Sequence, residues 1–218
     1  SGEVHWNEWG RSWFPRDASR ESVLEAAFVV KTRAEVSQCA DRFAYWCLSD
    51  IYNQAGFQSS EFQGHYGMLS LHGLRKPAWF AHMLLGKLQN KIVPVEGVGQ
   101  DLHVIATMGE ERGTVLISAY PETSPHLDGC LSIQLRLPVP ATTVSLTRIG
   151  SIENNILAQW RTMGAPDYPV HAQLKMLKAS NHLMKSSRPV IVDPKDSSLI
   201  TIEMECPGVV SVEWEMFP

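Results

Sequence analysis

The sequence predicts an α/β portion followed by an all-β portion: parallel strand–helix units over residues 1–91, then a β-sandwich with a short helical insert over 92–218. Three observations predict it. Apolar strand-like and helix-like segments alternate as far as Gln89, strict apolar/polar alternation then recurs in short runs, and Pro94, Gly97 and Gly99 mark a linker-like join, Ile92 to Gly99, between the two rhythms. With 44% hydrophobic and 19% charged residues, the 218-residue chain can fill a large core, which excludes a mainly disordered protein. A formal net charge of −4 offers no basic footprint for nucleic acid. No apolar run approaches the ~20 residues of a membrane-spanning helix, and Ser1–Gly10 lacks the pattern of a signal peptide. Neither a nucleic-acid nor a membrane partner is expected.

In chain order, Glu3–Trp9 reads as a short aromatic strand. Ser19–Gln38 is predicted helical, with Val23, Ala26, Ala27, Val30 and Ala34 on one face and Ser19 or Ser22 as cap. Arg42–Leu48 is nearly all apolar, as a parallel strand covered on both faces is. A long loop, Ile51–Arg75, leads to Pro77, a residue suited to a helix's first turn, and Pro77–Leu88 carries Trp79, Phe80, Met83, Leu84 and Leu88 on a buried stripe. A complete (β/α)8 barrel takes about 250 residues, so any barrel here is incomplete.

The second portion has the alternation of half-buried antiparallel strands at Leu131–Leu137, Thr143–Ile149, Leu199–Met204 and Val209–Trp214, and more loosely at Leu102–Thr107 and Thr114–Ala119. Glu110–Gly113 reads as a hairpin turn between the last two. Asn154–Met163 and Ala172–Ala179 are predicted helices, separated by the stop Gly164-Ala165-Pro166. Cys39, Cys47, Cys130 and Cys206 are scattered, without CxxC spacing, and read as buried thiols.

The candidate chemistry gathers at strand ends and in the long loop. Glu8 ends the first strand among Trp6, Trp9 and Trp13. A carboxylate walled by indoles suits a sugar, whose ring stacks on aromatic faces; Glu8 equally suits a strand-end cap or a pair with Arg11 or Arg16. Asp50 ends the next strand and either binds a hydroxyl or caps the loop. Asn53, Gln54, Glu61, Gln63, His65, Tyr66 and His72 populate a loop long enough to be a binding lid, or else a solvated connection. Glu61, His65 and His72 lack a spacing that fixes ligand geometry, so no metal site and no cofactor is expected.

These residues then form a recognisable set. Asn7-Glu8-Trp9, Ser12-Trp13-Phe14-Pro15 and Ala26-Ala27 resemble the seventh βα unit of glycoside hydrolase family 39. Tyr45–Asp50, Gly56-Phe57, Phe62, Gly64, Tyr66–Leu69 and Lys76-Pro77 resemble its eighth strand, loop and last helix, and Asn154-Asn155 with Trp160–Pro166 its C-terminal β-sandwich. The resemblance implies the last two βα units of a (β/α)8 TIM barrel and a retaining, β-xylosidase-type mechanism with Glu8 as nucleophile. It implies sugar contacts from Trp9, Trp13 and Trp46 by stacking, and from Asp50, Asn53, Gln54, Gln63 and His65 by hydrogen bonding. The acid/base glutamate of the family lies on strand four, which this sequence does not contain, so the rest of the barrel is expected from another polypeptide, from a cleaved or further segment of the same one, or from an oligomer partner. Departures from the family occur at Arg20-Glu21 (a His-Asp pair there), at Asn53-Gln54 (a Glu pair) and at Gln63 (a His). The rival expectation is a non-catalytic carbohydrate-binding or assembly module derived from such an enzyme.

Overall fold

The computed structural model describes residues 2–36, 38–52, 56, 59–122, 129–138, 143–188 and 190–215. Strand β1 (His5–Trp9) lies parallel to β2 (Arg42–Tyr45). Parallel neighbours need a crossover, and helix α1 (Val23–Val36) supplies it. A 3-10 turn, Ala18–Glu21, precedes α1; the Asp17 side chain accepts from the Ser19 N–H at 3.0 Å, and the Ser22 hydroxyl accepts from the Leu24 N–H at 3.2 Å. The cap is therefore shared by Asp17 and Ser22. Helix α2 (Pro77–Leu85) packs against α1, burying Phe80, Ala81 and Leu84, while Met83 of the predicted stripe stays 37% exposed.

The parallel pair is less covered than its apolar run suggests. Trp9 is buried beneath the helices, but His5 to Glu8 are exposed and β2 is only half-buried. Each strand has one neighbour, and among the described residues the helices cover one face alone.

After α2 come β3 (Lys91–Val93), β4 (Leu102–Met108), β5 (Arg112–Ala119), β6 (Gly129–Arg136) and β7 (Thr143–Ile149). Helices α3 (Ile156–Thr162) and α4 (His171–Ser180) follow, then β8 (Ile191–Val192), β9 (Leu199–Cys206) and β10 (Gly208–Glu215). Strands β3-β4-β5-β10-β7 form one antiparallel sheet and β6-β9-β8 a second. Val115, Ile117, Val210, Val212 and Trp214 from the first meet Ile200, Ile202 and Met204 from the second in one core.

The expected half-buried alternation fails for the central strands. β5 and β10 are buried on both faces, because α1 lies against the outer side of their sheet, with Ala26, Ala27, Val29 and Val30 meeting Leu116, Ile149 and Val209. Under that helix the Ser118 hydroxyl donates to the Ala27 carbonyl at 2.7 Å. The arrangement is three layers, helices, five strands, three strands, with a core common to both portions of the chain. The expected linker also begins as structure, since Ile92 and Val93 belong to β3 and pair with Thr107 and Ala106. A three-residue strand is too short to show a period.

The four cysteines form no disulfides, and two of them, Cys39 and Cys130, are exposed rather than buried. No described helix is long and apolar enough to cross a membrane.

Gly113 lies directly opposite Trp214, and a Cβ there would come within 2.0 Å of the indole. Gly113→Ala is expected to destabilise the chain by about 1–3 kcal/mol through overpacking, read as a lower urea midpoint. An unchanged midpoint would show that the ring moves aside freely.

Candidate functional site

The register of the parallel pair slips where it matters. Asn7 faces Ala44 and Trp9 faces Tyr45, leaving Glu8 as an extra residue with φ of 60°. A bulge re-aims a side chain, and a left-handed non-glycine residue is sustained only where its surroundings over-determine it. Trp9 provides that anchor below, packed edge-on against Tyr45 with ring centroids 5.4 Å apart. The Trp46 N–H donates to the Trp9 carbonyl at 3.0 Å, carrying the pairing past Glu8.

Glu8 opens into a cleft of about 580 Å³ whose other walls are Trp6, Trp9, Gly10, Ser12, Trp13, Trp46, Tyr52 and Tyr66. Trp9 is its buried floor; Trp13, 78% exposed, stacks on Phe14 at 4.4 Å, and Trp46 meets Tyr52 edge-on at 5.0 Å. Among the described residues Glu8 is the one carboxylate lining the cleft. Arg11, a partner expected for it, is spent on Asp17 at 2.9 Å and Glu25 at 3.4 Å. Mostly aromatic walls with few polar groups and one exposed carboxylate suit a small polyhydroxylated ligand.

The long loop is held against the strand ends by backbone and by charge. Met68 and Leu69 donate to the carbonyls of Cys47 and Leu48 at 3.0 Å each, and Ser49 and Leu69 form an isolated parallel bridge. Beneath it Lys76 is wholly buried, with Nζ 2.8 Å from a carboxylate oxygen of Glu21 and 2.8 Å from one of Asp50. The same carboxylates reach the loop: Glu21 accepts from the Gly64 N–H at 2.7 Å and Asp50 from the Gly67 N–H at 2.8 Å. Both glycines are required by proximity, since a Cβ on Gly64 would sit 2.7 Å from the Asp17 backbone and one on Gly67 2.2 Å from that of Asp50. Burial, opposed by Lys76 and reinforced by Asp50, raises the Glu21 carboxyl to about 6. Burial alone would lower the Lys76 ammonium, but its two carboxylates outweigh it and its pKa is raised.

The structure brings Glu8, Trp9, Trp13 and Trp46 together and separates the polar candidates from them. Asp50 is 1% exposed, pairs with Lys76 and accepts from the Gly67 N–H of the loop. His65 is buried, its pKa lowered by that burial, and lines no part of the cleft. The Gln63 amide donates to the Ser60 hydroxyl at 2.6 Å, also away from the cleft. Asn53 and Gln54 lie outside the described residues. Glu61 accepts from the His72 N–H at 2.9 Å and pairs with its ring. The described grouping with metal-ligand spacing is elsewhere, Glu35, His103 and Glu122, where Lys31 Nζ already bridges the two carboxylates at 2.7 Å each. Sequence reasoning missed Tyr52 and Ser12 as walls, and Lys76 as the buried cation; a lone lysine before a helix carries no sign of burial.

Against known proteins, the sequence profile of Glycosyl hydrolases family 39 matches residues 2–195. The chain belongs to this family. Among curated relatives of this family 39 chain, a beta-xylosidase of Caldicellulosiruptor saccharolyticus is 28% identical over 186 residues, 84% of this chain and 38% of the relative. A beta-xylosidase of Geobacillus stearothermophilus is 24% identical over 212 residues, 92% of this chain and 41% of the relative. The chain thus spans about two fifths of the length of these relatives. A GH39 beta-xylosidase structure from Caulobacter crescentus superposes with a TM-score of 0.76 at 23% identity, over 97% of this chain and 44% of that one. A GH39 enzyme from Xanthomonas axonopodis pv. citri gives 0.75 at 24% identity, over 98% and 44%. The fold is that of part of a family 39 enzyme.

The Glu21 carboxyl is raised from 4.5 to about 6, so between those values the folded chain holds more protons than the unfolded one. Its contribution to stability is full below about pH 4.5 and falls by about 2 kcal/mol as pH rises through 6. Urea denaturation at pH 4.5 and pH 7 should therefore show the stability of the parent relative to Glu21→Gln shrinking by about that amount; a pH-independent difference refutes it. Lys76→Met, which strands two buried carboxylates, is expected to cost about 3–5 kcal/mol at pH 7.

Proposed function

We propose that this chain is the nucleophile-bearing portion of a retaining glycosidase acting on β-xyloside-type substrates. The observation that carries the reading is Glu8: lifted by a bulge at the C-terminal end of a parallel strand, it is the one described carboxylate in an indole-walled cleft. In this reading residues 1–91 are the last two βα units of a (β/α)8 barrel, whose active sites lie at the C-terminal ends of the strands. Residues 92–218 are the β-sandwich that braces it, its five-stranded sheet packed on α1. The beta-xylosidase names of the curated relatives support the substrate class.

The mechanism follows from what one carboxylate can and cannot do. Glu8 attacks the anomeric carbon and forms a glycosyl ester as the aglycone oxygen leaves. That oxygen needs a proton from a second carboxyl about 5–5.5 Å from the first. Water, activated by that second group, then cleaves the ester. Asp50 and Glu61 are buried and engaged by Lys76 and His72, so in this reading the second carboxyl comes from the remaining barrel, supplied by another polypeptide, a further segment of the same one or an oligomer partner. Trp13, Trp46 and Trp9 present the faces and edges against which the sugar ring packs. The exposed apolar groups around the parallel pair, Val4, Trp6, Leu48 and Ile51, become covered when the barrel is completed.

The shortage of carboxylates in the cleft equally favours a second reading, a sugar-binding module without turnover. The complete assembly separates the two. It is expected to hydrolyse an aryl β-xyloside, with Glu8→Gln lowering kcat by about 10³-fold or more, while this chain alone is silent. Turnover by the isolated chain, or full activity in Glu8→Gln, overturns the assignment; sugar binding without turnover by the complete assembly establishes the module.

A further inference from the structure

Arg20 does not line the cleft, yet it holds two of its walls. The side chain is 3% exposed. One guanidinium nitrogen donates to the Gly64 carbonyl at 2.9 Å, and the other donates to the carbonyls of both Ser12 and Phe14. The guanidinium carbon Cζ lies over the Tyr66 ring, 4.0 Å from its centroid, and the Tyr66 hydroxyl donates to the Trp13 carbonyl at 2.8 Å. One cation thus joins the segment that carries Ser12 and Trp13 to the segment that carries Tyr66, and all three residues face the ligand space. The neighbouring Glu21 completes the grip, so that the Gly64 peptide is held at its N–H by Glu21 and at its carbonyl by Arg20.

Only a guanidinium suits this place. Its planar fork aims several donors at once, and it also stacks on an aromatic face. An ammonium on a lysine stem is a point charge and cannot reach three carbonyls on two segments while covering a ring. The Trp13 ring, 78% exposed and stacked on Phe14, gains little position from burial, so its place depends on where residues 12–14 are held. Glu8, by contrast, is held by the β1–β2 register and by Trp9.

We propose that Arg20 is a positioning residue that sets the width of the cleft between Trp13 and Tyr66, and through it sugar affinity rather than the chemistry at Glu8. This rests on the glycosidase reading above. The consequence is a particular kinetic signature: loss of Arg20 weakens binding of ground state and transition state alike, so KM rises while kcat holds.

The test uses the complete assembly with an aryl β-xyloside, comparing the parent with Arg20→Ala, Arg20→Lys and Tyr66→Phe. Arg20→Ala is expected to raise KM about tenfold with kcat within about twofold, and millimolar guanidinium chloride, too dilute to denature, to lower KM again. Arg20→Lys should stay impaired and should not respond to guanidinium. Tyr66→Phe, which keeps the ring and loses only the bond to Trp13, should raise KM about threefold and serves where Arg20→Ala does not fold. Unchanged KM in the folded variants, or a fall in kcat alone, overturns the role of Arg20 and leaves the glycosidase reading standing. A parent assembly that neither turns over nor binds xylosides, the latter by calorimetry, overturns both. A parent that binds without turnover moves the same comparison to Kd, where Arg20→Ala must weaken binding about tenfold or the proposal fails.

Discussion

The segments around the cleft converge on the fully buried ammonium of Lys76. Lys76 stands at the N-terminal edge of α2 and is flanked by Glu21, from the turn before α1, and Asp50, from beyond β2. Three segments far apart in sequence are thereby pinned at one point. Removing water from three charges costs several kcal/mol each, and that cost is offset only because every arm is used twice: Glu21 and Asp50 also accept the amides of Gly64 and Gly67. Burial, which Lys76 only partly opposes and Asp50 adds to, leaves Glu21 with a raised pKa.

Around that point the aromatic cleft is assembled from short pieces, none of which has structure enough to hold itself. Glu8 depends on a register slip between two strands, Trp13 on the carbonyls of its own segment, and Tyr66 on a loop whose backbone bonds to residues 47–50. The two facing sheets contribute at a distance. They hold α1 between the parallel pair and the five-stranded sheet, with Ala26 and Ala27 allowing close approach to Leu116 and Val209. Small residues on one face of a helix let it lie flat on a sheet, so the frame behind the cleft is closely packed even where the cleft itself is open.

Element types were largely legible because they follow local patterns. Two-residue alternation marked β6 and β9, apolar spacing marked α1, and Pro77 marked the start of α2. What failed was burial. β5 and β10 read as half-buried strands, yet lie between two layers, and the apolar run that formed β2 reads as doubly covered, yet is covered by helices on one face. A strand's own pattern reports which side chains tolerate burial, while its neighbours decide which are buried.

The same division applies to the site. Sequence alone determined that Glu8 stands among indoles at a strand end and that a glycine-bearing loop follows the second strand, because those are facts of adjacency along the chain. Tertiary structure alone decided that Asp50 pairs with a lysine, and that Arg20 and Tyr66 close on Trp13. Charges and carbonyls act through distances of about 3 Å in space, and those distances arise only once the chain has folded back across dozens of residues.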